Sequence, residues 1–154
     1  MRRHEFAIAI ENWHHDLNIG TVVRTANAFL AAEVVIVGRR RWNRRGAMVT
    51  ERYQHVRHVP SIEALVASAA GREIVGIDNL PGAVPIESTR LPRRALLLFG
   101  QESSGLSAEA RQAATQVCSI TQFGSTRSIN AGVAAGIAMH TWICQHAAAV
   151  EPRV

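Results

Sequence analysis

The chain has no lysine: its 17 basic residues are all arginine, against 12 acidic ones, for a net charge of +5 over 154 residues. Cysteine is nearly absent too, with Cys118 and Cys144 each inside an apolar stretch and neither in CxxC or metal-ligand spacing. No disulfide framework is implied, and both thiols read as small core residues in a reducing compartment. GxGxxG after a strand, GxxxxGK[ST] and GxSxG are all missing, which counts against a Rossmann dinucleotide site, a P-loop and a hydrolase elbow. The apolar run Phe6–Ile10 is too short for a signal-peptide core. Ile129–Val150 is longer, but Asn130, His140, Thr141, Gln145 and His146 interrupt it, so no membrane span is expected. A soluble cytoplasmic protein is the expectation. The histidines His14, His15, His55 and His58 lack Cys or carboxylate companions at metal spacing, so no metal is expected. His140 reads as an interface or core residue.

The chain does have a hydrophobic share of 47%, enough for the core of one domain over 1–154 with no separate RNA-binding domain. Short apolar runs alternate with helical segments, the pattern of an α/β domain with a mainly parallel sheet. Strands are expected at 6–10, 33–37, 73–78, 95–99 and 116–120. Helices are expected at 21–31, with Asn18 as cap, and at 61–70, 107–114 and 130–146. Residues 79–94, with Pro81, Gly82, Pro85 and Pro92, read as a long loop.

Three constellations carry chemistry. Arg39-Arg40-Arg41-Trp42-Asn43-Arg44-Arg45 places five guanidinium groups around an indole. Arginine forks grip phosphates and an exposed indole stacks on an unpaired base, although a solvated turn with a half-buried Trp has the same composition. Arg52, Arg57, Arg90, Arg93, Arg94 and Arg127 are candidates to extend that patch. Asn18 and Arg24 stand six positions apart on a segment otherwise flanked by Val22, Val23, Ala26 and Ala28, which argues against a purely exposed Arg24. Finally, two polar glycine-bearing loops follow apolar strands: Leu98-Phe99-Gly100-Gln101-Glu102-Ser103-Ser104-Gly105, and Ile120-Thr121-Gln122-Phe123-Gly124-Ser125-Thr126-Arg127-Ser128-Ile129-Asn130. Glycines let backbone groups approach a ligand closely. Taken singly, the first is also an ordinary strand-to-helix turn and the second a helix cap.

In chain order and at these separations the Asn18–Arg24 segment and the two glycine-bearing loops resemble the three motifs of the SpoU (TrmH) class of SPOUT RNA methyltransferases, over nearly the whole chain. The resemblance implies a SPOUT-type sheet with helices on both faces and a C-terminal trefoil knot. It implies methyl transfer from S-adenosylmethionine to a ribose 2′-hydroxyl of tRNA or rRNA, by a homodimer. Asn18 and Arg24 fall at the implied active site, where Arg24 holds phosphate and ribose and polarises the hydroxyl, with Ser128, Asn130 and Glu102 orienting ligands or bracing the Arg. Ile77, Gly100, Gln101, Ile120, Ser128, Ile129 and Asn130 fall at the cofactor pocket, where a bulky residue at Gly100 is expected to block the cofactor sterically. Arg39, Arg40, Arg41, Trp42, Arg44 and Arg45 are the expected RNA contacts. Ala131-Gly132 are smaller than the class's usual residues at that point, and the small-residue face of 131–138 suits close packing on a partner or within the chain. A non-catalytic RNA-binding protein or RNA chaperone on the same scaffold is the alternative. A nucleotide-binding oxidoreductase is more remote, given the missing dinucleotide fingerprint.

Overall fold

Strand side chains alternate between the two faces of a sheet, so a strand that is apolar at every position must be covered on both. Ala95–Phe99 (ALLLF) is such a strand, and Ala7–Asn12 (AIAIEN) is apolar through Ile10; both are buried at every position. A computed structural model describes residues 2–12, 18–126 and 128–147 and shows how they are covered. In chain order it has β1 (Ala7–Asn12), α1 (Ile19–Ala28), β2 (Val34–Gly38), β3 (Val56–Val59), α2 (Ile62–Ala67) and β4 (Glu73–Ile77). β5 (Val84–Pro85), β6 (Ala95–Phe99), α3 (Ala108–Ala113), β7 (Gln116–Ser119) and α4 (Ala131–His146) follow. The strands form one sheet in the order β3-β2-β1-β6-β4-β7-β5, and every paired neighbour is parallel.

The two faces carry separate cores. Phe6, Ile8, Ile10, Ile36, Leu97 and Phe99 pack with Ile19, Val22 and Val23 of α1 and with Ala135, Met139 and Trp142 of α4. Ala9, Val35, Leu96 and Leu98 point the other way, onto Leu65 of α2 and Ala110 of α3. Each large apolar side chain so buried contributes about 1.5–3 kcal/mol. Trp142 shows how α4 is held: its ring lies 4.5 Å from that of Phe6, and its indole N–H donates to the Pro92 carbonyl at 3.0 Å. The small residues of α4 face inward, since a Cβ on Gly132 would sit 3.2 Å from Thr21 Cγ2 of α1. That part of the small-residue face packs within the chain.

Several boundaries differ from the sequence reading. β1 runs on through Glu11 and Asn12, and α1 covers Ile19–Ala28 rather than 21–31. β3 was not expected, because Val-Arg-His-Val has no apolar run; it lies at the sheet's edge, where one side needs no partner strand. Residues 79–94 are not one loop. They hold β5 and a 3-10 turn at Ile86–Ser88. β5 occupies the opposite edge, the place in a sheet where the missing N–H of Pro85 is tolerated. Cys118 is buried, and burial pushes its thiol pKa up, but Cys144 is exposed on α4 and is not a core residue. His140 is likewise exposed, 6.0 Å from the Phe29 ring. Among the described residues, no helix is long and apolar enough to cross a membrane.

Candidate active site

In an open α/β sheet, ligands bind beyond the carboxyl ends of the strands. Here β4, β6 and β7 end around an open cavity of about 260 Å3 lined by Ile77, Asp78, Phe99, Gly100, Gln101, Glu102, Ile120, Ser128 and Ile129, among others. The loop after β6 closes on itself: Gln101 N–H donates to the Gly105 carbonyl at 3.2 Å, and Gly105 N–H to that of Gln101 at 2.7 Å. This leaves no space inside the turn. A Cβ on Gly100 would sit 2.0 Å from the Gly105 carbonyl carbon and 2.2 Å from Leu106 N. Gly105 has φ +67°, and a Cβ there would meet Asp78 Oδ2 at 2.4 Å. That oxygen accepts Leu106 N–H at 2.9 Å, tying the loop to the end of β4.

The second loop is tied down in the same way. Asn79 Oδ1 accepts Ile120 N–H at 3.2 Å, and Glu87 accepts Thr121 N–H at 3.0 Å and the Thr121 hydroxyl at 3.2 Å. Hydrogen bonds from Glu87's own N–H and from Thr121 hold its carboxyl below the ordinary range, outweighing the opposing effect of slight burial. Asn130 then opens α4, its Oδ1 accepting Gly132 N–H at 2.9 Å and Val133 N–H at 3.2 Å. Two of the helix's otherwise unmatched donors are thereby satisfied.

Three distant segments meet at Glu102, which lines the cavity; Asn18 and Asn130 do not line it, although Asn130 was expected at the cofactor pocket. Asn130 Nδ2 donates to Asn18 Oδ1 at 2.9 Å and to Glu102 Oε1 at 3.3 Å. Asn18 Nδ2 donates to Glu102 Oε2 at 2.7 Å. Both carboxylate oxygens of Glu102 thus hold an amide donor. This explains a departure from expectation at Asn18: it stands at the cap position of α1, but its side chain makes no capping bond and turns to Glu102 and Asn130 instead. Arg24 is also placed differently. The apolar residues around it, Val22, Val23 and Ala26, go into the core, leaving Arg24 exposed on the outer side of α1 with no ion pair to any described residue. It does not line the cavity of its own chain.

Residues 5–140 match the model of the SpoU rRNA Methylase family. The chain belongs to that family. An uncharacterized tRNA/rRNA methyltransferase of Mycolicibacterium smegmatis is 31% identical over 140 residues, covering 86% of this chain and 44% of that protein. The tRNA (guanosine(18)-2′-O)-methyltransferase of Escherichia coli K12 is 26% identical over 144 residues, covering 90% of this chain and 63% of the enzyme. The crystal structure of an AdoMet-bound rRNA methyltransferase from Sinorhizobium meliloti superposes with a TM-score of 0.81 at 25% identity, covering 96% of this chain and 59% of that one. The chain spans under half the length of its Mycolicibacterium relative.

In this SpoU-family chain the basic loop leaves the carboxyl end of β2 beside β1. Asn12, wholly buried at the end of β1, donates its two Nδ2 hydrogens to the carbonyls of Arg39 (2.8 Å) and Arg41 (2.9 Å). Arg39, Arg40, Arg41, Arg44 and Arg45 are all exposed. Trp42 is half-buried against the core, with the Arg44 guanidinium 5.7 Å from its ring centre, so its indole anchors the loop rather than standing free. Of the other arginines, Arg57 is paired with Glu33 at 2.6 Å and Arg93 with Glu5 at 2.8 Å, which leaves less of their charge for a ligand. Arg52 and Arg90 are exposed, and Arg94 donates to the Ala70 carbonyl at 2.6 Å. His58 Nε2 hydrogen-bonds the Gly38 carbonyl at 2.6 Å while His55 is exposed. Among the described residues no three His, Cys, Asp or Glu side chains are grouped to hold a metal. Arg127, His14 and His15 lie outside the described residues.

Sequence reasoning missed Asn12, Asp78, Asn79 and Glu87. Asp78 and Asn79 had a readable signal: two polar residues directly beyond an apolar strand, where α/β proteins place their ligand loops. Asn12 and Glu87 had none, because their partners lie 27 or more residues away.

Proposed function

We propose that this protein is an S-adenosylmethionine-dependent RNA methyltransferase that methylates a ribose 2′-hydroxyl, with tRNA as the favoured substrate. The observation that carries the reading is the Asn18–Glu102–Asn130 network, which ties two further segments to Glu102 on the lining of the cavity. The E. coli relative, a tRNA 2′-O-methyltransferase, and the AdoMet-bound S. meliloti structure support it. The lining residues suit such a cofactor: Ile77, Phe99, Ile120 and Ile129 offer apolar surface to a purine, and the tight loop at Gly100 presents backbone groups already aligned. When bound, the cofactor supplies an electrophilic methyl group. The chain's own residues position what receives it. Glu102 braces Asn18 and Asn130, fixing the start of α1 relative to the start of α4. Arg24 lies six residues along α1, about 9 Å of helix. Its guanidinium offers five N–H donors and no acceptor, so it serves to hold the RNA phosphate and ribose and to polarise the hydroxyl rather than as a general base. The working unit is a cytoplasmic homodimer; Val133 (54% exposed) and Ile137 leave apolar surface on the outer side of α4 that a second copy covers.

The test is methyl transfer from labelled S-adenosylmethionine to bulk tRNA and rRNA, followed by digestion to nucleosides. A 2′-O-methylnucleoside is expected, together with calorimetric binding of about one cofactor per chain. RNA binding with neither cofactor binding nor transfer to either RNA favours the RNA-binding alternative.

The basic loop carries its own prediction. Neutralising Arg39, Arg40, Arg41, Arg44 and Arg45 is expected to weaken tRNA binding and flatten its dependence on salt, by about 0.7–0.9 in log–log slope for each phosphate that the loop no longer neutralises. Cofactor affinity should hold. Titrations at several salt concentrations check this, and an unchanged slope places the RNA surface elsewhere.

A further inference from the structure

Beyond the basic loop the backbone does something costly. Met48 (φ 47°, ψ 47°) and Val49 (φ 67°, ψ 0°) are both left-handed, a region where a Cβ crowds its own backbone and a β-branched residue is a marked outlier. Such geometry persists where the surroundings over-determine it, and it gathers at functional positions. The surroundings here are rigid. A Cβ on Gly20 would lie 2.8 Å from Ala47 N, and one on Gly46 2.9 Å from Thr21 N, so the turn at Arg45–Ala47 sits backbone to backbone on the first turn of α1. The Thr50 hydroxyl donates to the Ala47 carbonyl at 2.5 Å. At the far end, Arg3 donates to the Tyr53 carbonyl and, at 2.6 Å, to Gln54 Oε1.

Both ends are clamped, and what lies between them projects. Met48 is 65% exposed, Val49 52% and Tyr53 71%. Arg44, Arg45 and Arg52 stand exposed around them, while Glu51, the segment's one carboxylate, has its Oε2 buried. An apolar step ringed by cations and joined to the start of α1 does not fit a second copy of the chain, since a two-fold contact would set the same cations against each other. It fits a nucleic-acid strand with a free base.

We propose that Met48, Val49 and Tyr53 form a platform on which an unpaired RNA base seats, with Arg44, Arg45 and Arg52 holding the flanking phosphates. Tyr53 thereby fills the stacking role that the half-buried Trp42 leaves vacant. This rests on the reading of the protein as RNA-binding. Stacking on an aromatic side chain is tolerant of base identity and needs a base free of its partner strand, whereas phosphate contacts serve paired and unpaired RNA alike.

The test uses the full chain with two probes, a single-stranded oligoribonucleotide and an RNA duplex with the same number of phosphates. Melting curves and light-scattering masses are recorded for each variant. Tyr53→Ala is expected to weaken single-strand binding by about tenfold and duplex binding far less, with Tyr53→Phe close to wild type. Val49→Gly is expected to melt no lower than wild type, because glycine accepts the left-handed conformation. It should nevertheless lose single-strand affinity severalfold. Variants that bind the single strand as wild type does, or lose both probes equally, overturn the platform. So does a fall in molecular mass with unchanged RNA binding, which assigns the surface to a second copy. If Tyr53→Ala does not fold, Val49→Gly decides. Wild-type protein that binds neither probe removes the RNA reading itself, and the platform with it.

Discussion

Gly100→Ala is expected to weaken cofactor binding at least tenfold and to destabilise the fold by about 3 kcal/mol or more. The added methyl group does not project into the cavity, as the sequence reading expected of a larger residue there. It runs into the Gly105 and Leu106 backbone at 2.0–2.2 Å, and backbone cannot swing aside as a flexible side chain does. Opening that turn breaks the paired Gln101–Gly105 hydrogen bonds and the Leu106–Asp78 hydrogen bond. It also displaces Gln101 and Glu102, which line the cavity. Titration calorimetry with S-adenosylmethionine and thermal melts check the two halves. At least a tenfold loss of affinity should accompany a large drop in Tm. Gly124→Ala is the matched control, since a Cβ there meets nothing within 4 Å. Wild-type behaviour of Gly100→Ala would mean that the loop has a second arrangement of similar energy.

Arg24→Ala should separate chemistry from folding. The side chain is exposed and forms no ion pair with any described residue, so its removal is expected to move Tm little and leave cofactor affinity unchanged. Single-turnover methylation of tRNA should fall by on the order of a hundredfold or more, the scale expected when a preorganised group is removed from the reacting centre. Arg24→Lys should recover little, because an ammonium cannot reproduce the planar two-point grip of a guanidinium. A folded Arg24→Ala protein that methylates at the wild-type rate removes Arg24 from the active site. Because Arg24 does not line its own chain's cavity, mixing Arg24→Ala chains with chains carrying Gly100→Ala adds a second reading. Activity recovered in the mixture shows that one subunit's Arg24 serves the other's cofactor site.

Local chemistry made much of the architecture legible. Ala95–Phe99 is apolar at every position and forms β6 with the expected bounds, because a central strand covered on both faces needs no other information. Ser61 and Ser107 cap α2 and α3 through their own side chains, bonding to N–H groups three residues on, an interaction wholly contained in the sequence nearby. Asn130 does the same with one end of its amide. The two glycine-bearing loops were legible as loops that follow apolar strands, since the order of strand, glycine and polar residue is itself local, and both line the cavity.

What the tertiary structure decided are the choices between two locally acceptable outcomes. Asn18 has the chemistry of a helix cap, yet its Oδ1 accepts from Asn130, 112 residues away, and its Nδ2 donates to Glu102, 84 residues away. Trp42 suits a solvated loop as well as a core edge, and the packing of β1, β2 and α1 turned it inward. Arg24 sits among apolar neighbours in sequence but is exposed in space, because Val22, Val23 and Ala26 take the side of α1 that faces the core. Cys144 lies in an apolar run, yet α4 exposes it. The strands β3 and β5 exist only because a sheet was there to extend. Apolar pattern and capping act over a few residues and are written in sequence order. The partner of an amide, the covered face of a helix and the edge of a sheet depend on segments that meet only once the chain has folded.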